Sequence, residues 1–236
     1  MQIHGILNLN KPPKMTSRQA VEQIKRLLKV KKAGHGGTLD PDATGVLLIC
    51  LGDATKLFDS LQVGTKEYEC LLTLGITTDT LDASGQIVDT FDTDGITPDQ
   101  VRTTVGEFIG EIEQTVPMFS AVKFKGRRLH QLARQGIAVE ELPKRKVTIE
   151  SIEVLSINLP EVRIRVVCSK GTYIRSLVAD IGCQLGCGAH LSQLIRTRSG
   201  RFKIADGHSL TQLEGEPSLA YQAVIPIEIV VETLNR

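Results

Sequence analysis

The sequence predicts an α+β fold with a mixed, largely antiparallel central sheet flanked by helices. Three observations predict it. Strand-like and helical stretches alternate irregularly, without the even βαβ rhythm of a parallel sheet. Two strand-like runs, Lys146 to Ile157 and Val162 to Cys168, follow one another closely enough to form a hairpin-like pair. Amphipathic stretches carry their own start signals, as isolated helices packed on a sheet should.

Taken in order, "TSRQAVEQIKRLL" (Thr16 to Leu28) reads as a helix. Thr16 or Ser17 can cap it, and Val21, Ile24, Leu27 and Leu28 share a face. "GVLLICLG" (Gly45 to Gly52) is an apolar run between glycines and reads as a buried strand. "DATKLFDSL" then starts a helix with Asp53 as its cap, and Lys66 to Gly75 alternates as a strand. "TPDQVRTTVGEFIGEI" has Thr97 as cap, Pro98 at the first helical position and Gln100 closing a capping box. Val101, Val105, Phe108 and Ile109 supply its apolar stripe. "RRLHQLARQG" reads as a short basic helix ended by Gly136. After the two strand-like runs, "SKGTYIRSLVADIGCQLG" turns at Gly171 and becomes a helix with Ile174, Leu177, Val178, Ile181 and Leu185 facing the core. Tyr173 and Arg175 fall at its start, off that face.

The chain has 236 residues, 41% of them hydrophobic, which is enough for one packed domain. No apolar run approaches the roughly 20 residues of a membrane helix, and no leader is evident, so a cytoplasmic protein is expected. The five cysteines are odd in number and sit in apolar context, as reduced thiols do. Cys183, Cys187 and His190 lack a fourth ligand and the usual zinc spacing, so no metal is expected. The net charge of +1 hides a segregated distribution. Basic clusters lie at Lys25 to Lys32, from Lys123 to Lys146, and at Arg196 to Lys203, while Asp79, Asp82, Asp89, Asp92 and Asp94 gather elsewhere. A basic side permits polyanion binding; solvated surface charge is the plainer alternative.

"GHGGTLDPDATG" (Gly34 to Gly45) is the most constrained stretch. It lacks the Gly-Lys-Ser/Thr ending of a phosphate loop. It also follows a helix and precedes a strand, the reverse of a dinucleotide fingerprint. What remains is a loop with a carboxylate before a proline. Pro41 biases Asp40 toward extended backbone and so fixes where its side chain points. By itself this stretch also fits a structural Asx turn.

Together with "GILNLNKPPKMTS", "KEYEC", "TDTLDASG", "VPMFSAVKFKGRRLHQLARQG", "KGTYIRSL" and "GCGAHLSQLIRTRSGRF", the chain resembles the TruB family of tRNA pseudouridine synthases over almost its whole length. The resemblance implies a pseudouridine synthase fold and isomerisation of uridine to pseudouridine at position 55 in the T loop of tRNA. It implies no cofactor, since nothing is oxidised or added. Asp40 matches the family's catalytic aspartate, and Arg175 the arginine that pairs with it. Tyr68 matches the tyrosine lying against a flipped uracil, and Tyr173 and Leu194 match further pocket residues. His35 matches the histidine that fills the gap left by flipped bases. Lys11, Lys123 and Arg196 occupy positions suited to phosphate contacts. Residues 118–146 resemble a thumb-like insertion that closes over the T arm.

The expected architecture is thus a single catalytic domain, residues 1–236, without the C-terminal PUA domain of many bacterial relatives. The partner is the T-arm stem-loop of tRNA; no membrane and no obligatory protein partner are expected, and the protein reads as a monomer. Phe119 and His130 stand where the family more often has tyrosine. A tRNA-folding chaperone is the alternative function. The loop glycines are expected to give room for RNA and for backbone to approach closely.

Overall fold

A computed structural model describes residues 3–234 of the chain. They divide into two compact units, one of the residues up to 68 together with those from 194 on, the other of residues 69–193. The first unit begins with β1 (Gly5–Lys11), α1 (Ser17–Leu27), β2 (Ala33–His35), β3 (Thr44–Leu51) and α2 (Phe58–Gln62). β4 (Lys66–Leu74) carries the chain out of this unit after Tyr68. The second unit adds β5 (Ile76–Thr78), β6 (Ile87–Thr90), α3 (Pro98–Glu107), β7 (Gly110–Thr115), β8 (Lys123–Phe124) and β9 (Arg127–Arg128). It continues through α4 (Leu129–Arg134), β10 (Lys144–Asn158), β11 (Glu161–Cys168) and α5 (Ile174–Gln184). β12 (Ala189–Ser199) returns the chain to the first unit at Leu194. There β13 (Phe202–Lys203), β14 (His208–Ser209), α6 (Leu210–Gly215), α7 (Pro217–Gln222), β15 (Val224–Pro226) and α8 (Ile227–Leu234) follow.

In the first unit β1 and β3 pair antiparallel over their full length, from Gly5↔Leu51 to Lys11↔Gly45. β14 and β15 share the other edge of β1. β12 joins β3 in parallel, Arg196 opposite Gly45. The apolar run 45–51 is buried throughout, because both faces of this strand are covered. Ile6, Val46, Leu48, Cys50, Ala54, Leu61 and Val230 form its core. In the second unit β11, β10 and β7 lie in antiparallel order, and α3 and α5 pack against them. The α+β class with a mixed, mainly antiparallel sheet stands.

The capping boxes at Thr16/Gln19 and Thr97/Gln100 form as the residues demand. Asp53 differs. The segment Gly52–Leu57 is a 3-10 turn whose cap makes no side-chain hydrogen bond, and α2 starts only at Phe58. Asp53 instead pairs with His4 at 2.9 Å and Lys56 at 2.8 Å. The helix expected to run through Ile112 stops at Glu107, and Gly110, with φ +113, turns the chain into β7. Ile109, expected on that helix's apolar stripe, is consequently 48% exposed. Among the described residues all five cysteines are free thiols, Cys183 alone exposed. No helix of the described residues is long and apolar enough to cross a membrane.

Candidate active site

The loop between β2 and β3 is held almost entirely through its main chain. Gly36 N–H donates to Leu48 O at 2.8 Å. Ser17 Oγ donates to Leu39 O at 3.0 Å and accepts from Leu39 N–H at 2.9 Å, so one hydroxyl satisfies both backbone groups of one residue. Pro41 O accepts from Met15 N–H at 3.1 Å and from Lys11 Nζ at 2.9 Å. Ala43 N–H closes back on Asp40 O. Asp40 is therefore fixed by bonds to its immediate neighbours, with Leu39 and Ala43 buried beneath it. Asp40 is half-buried, and Asp42 is exposed.

Two buried cations frame this loop. Lys11 has no exposed surface, and its ammonium donates to Pro12 O, Met15 O and Pro41 O at 2.7–2.9 Å. Burial lowers its pKa to about 8, against the opposing pull of Asp42 and Asp40. Arg196 is 2% exposed; Nε donates to Val46 O at 2.7 Å, and the two terminal nitrogens reach Gly37 O and Thr38 O at 3.3 and 3.4 Å. Both residues were expected at phosphates. The structure corrects that placement: their donors are engaged by carbonyls inside the protein, and no surface remains for a phosphate. Gly45 explains the closeness of Arg196. At φ +96, a Cβ on Gly45 would sit 2.9 Å from Arg196 C and N. The close approach of backbone expected at the loop glycines is found at Gly45.

His35 ends β2 and is half-buried. Burial first, and then the Arg196 guanidinium, lower its pKa below the usual 6.5, while the Gly37 backbone opposes them. The imidazole is neutral at physiological pH. Tyr68 lies on β4 at 9% exposure, and Leu194 on β12 is half-buried, both within this unit.

In the second unit the start of α5 is built with similar economy. Arg175, expected off the core face, is 4% exposed. Its terminal nitrogens donate to Thr80 O and Phe119 O, each at 3.0 Å, and Nε lies 3.7 Å from Asp82 Oδ2. Asp82 is held in turn by Thr80 Oγ1 at 2.7 Å and Ser84 N–H at 3.0 Å, so the anion beside the guanidinium has one orientation. Ser176 Oγ donates to Thr115 O at 2.8 Å, tying α5 to β7. Tyr173 is half-buried at the N-cap, and Lys123 is exposed on β8.

Fixed carboxylate, neutral imidazole and buried aromatic sit in one unit, and a buried guanidinium with its own anion in the other. The sequence matches the family described as TruB family pseudouridylate synthase (N terminal domain) over residues 25–174. Residues 175–232 match the tRNA pseudouridylate synthase B C-terminal domain. The chain belongs to the TruB family. Its members are pseudouridylate synthases, and the chain is an isomerase of that class.

Proteins named tRNA pseudouridine synthase B are similar to it along nearly its whole length. That of Clostridium tetani is 45% identical over 99% of this chain and 80% of its own. That of Clostridium kluyveri is 49% identical over 95% of this chain and 76% of its own. Among solved structures, a chain of a Cbf5-Nop10-Gar1 complex is 36% identical, with a TM-score of 0.74. A chain of the archaeal box H/ACA sRNP Nop10-Cbf5 complex is 33% identical, with a TM-score of 0.69. This TruB-family chain spans 95% of itself but only 60% of either of those chains.

Around the Asp40 loop the structure brings together Lys11, His35 and Arg196, and it places Tyr68 and Leu194 in the same unit. Tyr173, Arg175 and Lys123 belong to the other unit. Two participants escaped sequence reasoning, Ser17 and Asp82, although both lie in family stretches, "GILNLNKPPKMTS" and "TDTLDASG". Among the described residues no three His, Cys, Asp or Glu side chains gather as a metal set.

Proposed function

We propose that this chain isomerises uridine to pseudouridine at position 55, in the T loop of tRNA, with Asp40 as nucleophile. Pseudouridine synthesis follows from the family, and tRNA is the substrate named for the curated relatives. The observation that carries the finer reading is the Asp40 loop. Asp40, half-buried at the family's catalytic position, has the backbone on either side of it held by Ser17, Lys11 and Met15. A nucleophile so held loses little freedom on reaching the reacting geometry.

The reaction breaks the C1′–N1 bond, joins C1′ to C5 of the same uracil and removes the C5 proton. One carboxylate serves as nucleophile, at C1′ or C6, and a base takes the proton. Tyr68 lies against the flipped uracil, where stacking is worth about 1–3 kcal/mol. Tyr173 and Leu194 hold the positions of further pocket residues of the family, and Arg175 that of its arginine. His35, neutral, takes the place of extruded bases. Lys123, exposed within the basic segment 118–146, contacts phosphate. Mapping of pseudouridine in tRNA from cells lacking this protein tests the reading. The T-loop pseudouridine is expected to disappear; its persistence at the normal level would contradict the proposal.

A further inference from the structure

The inward face of the β7–β10 pair carries two polar residues where its pattern calls for apolar ones. Val147 lies opposite Ile112, and one pair along that face Arg145 lies opposite Gln114. Directly opposed residues project to the same side of a sheet. The outward positions hold exposed ion pairs instead, Lys144 with Glu113 and Lys146 with Glu111. Gln114 has no exposed surface at all. A buried amide is retained only if its hydrogen bonds are made.

Both ends of the Gln114 amide are used on a single residue. Nε2 donates to Tyr173 O at 3.2 Å, and Oε1 accepts from Tyr173 N–H at 3.0 Å. Tyr173 O also accepts Leu177 N–H, the first bond of α5, so that carbonyl is doubly held. Tyr173 has no side-chain cap of its own. Gln114 fixes the backbone from which the ring projects. Arg145 fixes the ring. Its guanidinium carbon lies 5.2 Å from the Tyr173 ring centroid, and its Nη1 donates to Gly171 O at 3.3 Å. Arg145 Nε is buried and makes no hydrogen bond among the described residues, so it is not presented to a ligand. The ring also packs against the apolar cluster of Val116, Leu129 and Leu132.

We propose that Gln114 and Arg145, a directly opposed cross-strand pair, are positioning residues that hold the backbone and ring of Tyr173 before substrate arrives. The geometry concerns this chain alone; the effect on turnover rests on the uridine isomerisation proposed above. A displaced pocket aromatic slows reaction more than it weakens binding, because the flipped base is then presented in a poor geometry.

The test replaces tyrosine by 3-fluorotyrosine and follows the three ¹⁹F resonances of Tyr68, Tyr173 and Tyr221. Arg145→Lys keeps the charge and removes the planar face; Gln114→Leu removes both amide bonds. In each variant the Tyr173 resonance is expected to shift or broaden while the other two stay. Turnover of a saturating T-arm hairpin is expected to fall about 10- to 100-fold, with the salt dependence of binding unchanged. An unmoved Tyr173 resonance in Arg145→Lys overturns the clamp, even if Gln114→Leu fails to fold. A moved resonance with unchanged turnover overturns the positioning role. Lost affinity with a shallower salt dependence at full turnover makes Arg145 a phosphate contact and overturns it too. If the unaltered protein turns over no hairpin, the proposed function falls, while the resonances still decide the clamp.

Discussion

Lys11 serves its loop without reaching the surface. Its three carbonyl acceptors come from the end of β1, the approach to α1 and the residue after Asp40, so one ammonium ties three backbone turns together. Lys11→Met removes the ammonium from all three carbonyls and leaves Pro41 O only its bond from Met15 N–H, and urea unfolding is expected to show a loss of about 2–4 kcal/mol. The pH dependence has a definite sign. The folded-state pKa is about 8 against an ordinary 10.5, so between these values the unfolded chain binds more proton. The Lys11 contribution to stability therefore rises from pH 8 to 10.5 and is flat below, and the difference between the native protein and Lys11→Met should follow that course. Residue identity gave Asp40 a position but misplaced Lys11 and Arg196. A cation's burial depends on acceptors such as Val46 O, 150 residues away in the chain from Arg196. Nothing in a basic cluster distinguishes a guanidinium turned inward from one facing solvent.

At the scale of elements, the capping boxes and the alternating strand are legible locally, while the Asp53 cap and the helix expected through Ile112 do not form. Thr97 with Gln100, and Thr16 with Gln19, define helix starts because the bonds involved span only three residues. The alternation in Val162 to Cys168 defines β11 for the same reason. β7 and β12 were missed because their patterns are set by distant partners. In β7, Gln114 sits on the inward face only because Tyr173 offers it two backbone groups. β12 passes from one unit to the other, and its burial follows no simple period. Its parallel contact with β3 gives the next prediction. A methyl at Gly45 overlaps Arg196 O and lies 2.9 Å from its C and N, in a left-handed conformation at φ +96. Gly45→Ala is expected to cost about 2 kcal/mol or more, seen in the unfolding midpoint. An unchanged midpoint would mean that the strands can part without loss.

For the molecule as a whole, composition concealed as much as it showed. A net charge of +1 gave no hint of a nucleic-acid enzyme, yet Lys123, Lys125, Arg127 and Arg128 are all exposed in one short segment. The α+β class was legible from hairpin spacing and helix caps. The division into two units was not, because the first unit is assembled from both ends of the chain. The central claim is that Asp40, in the first unit, is the nucleophile of a uridine isomerisation. Tritium release from a T-arm hairpin labelled at uridine C5 measures it most directly. Asp40→Asn keeps the side chain's volume and the loop's backbone bonds while removing the charge. The account predicts that it binds the hairpin as the native protein does and releases no tritium; release near the native rate would contradict it.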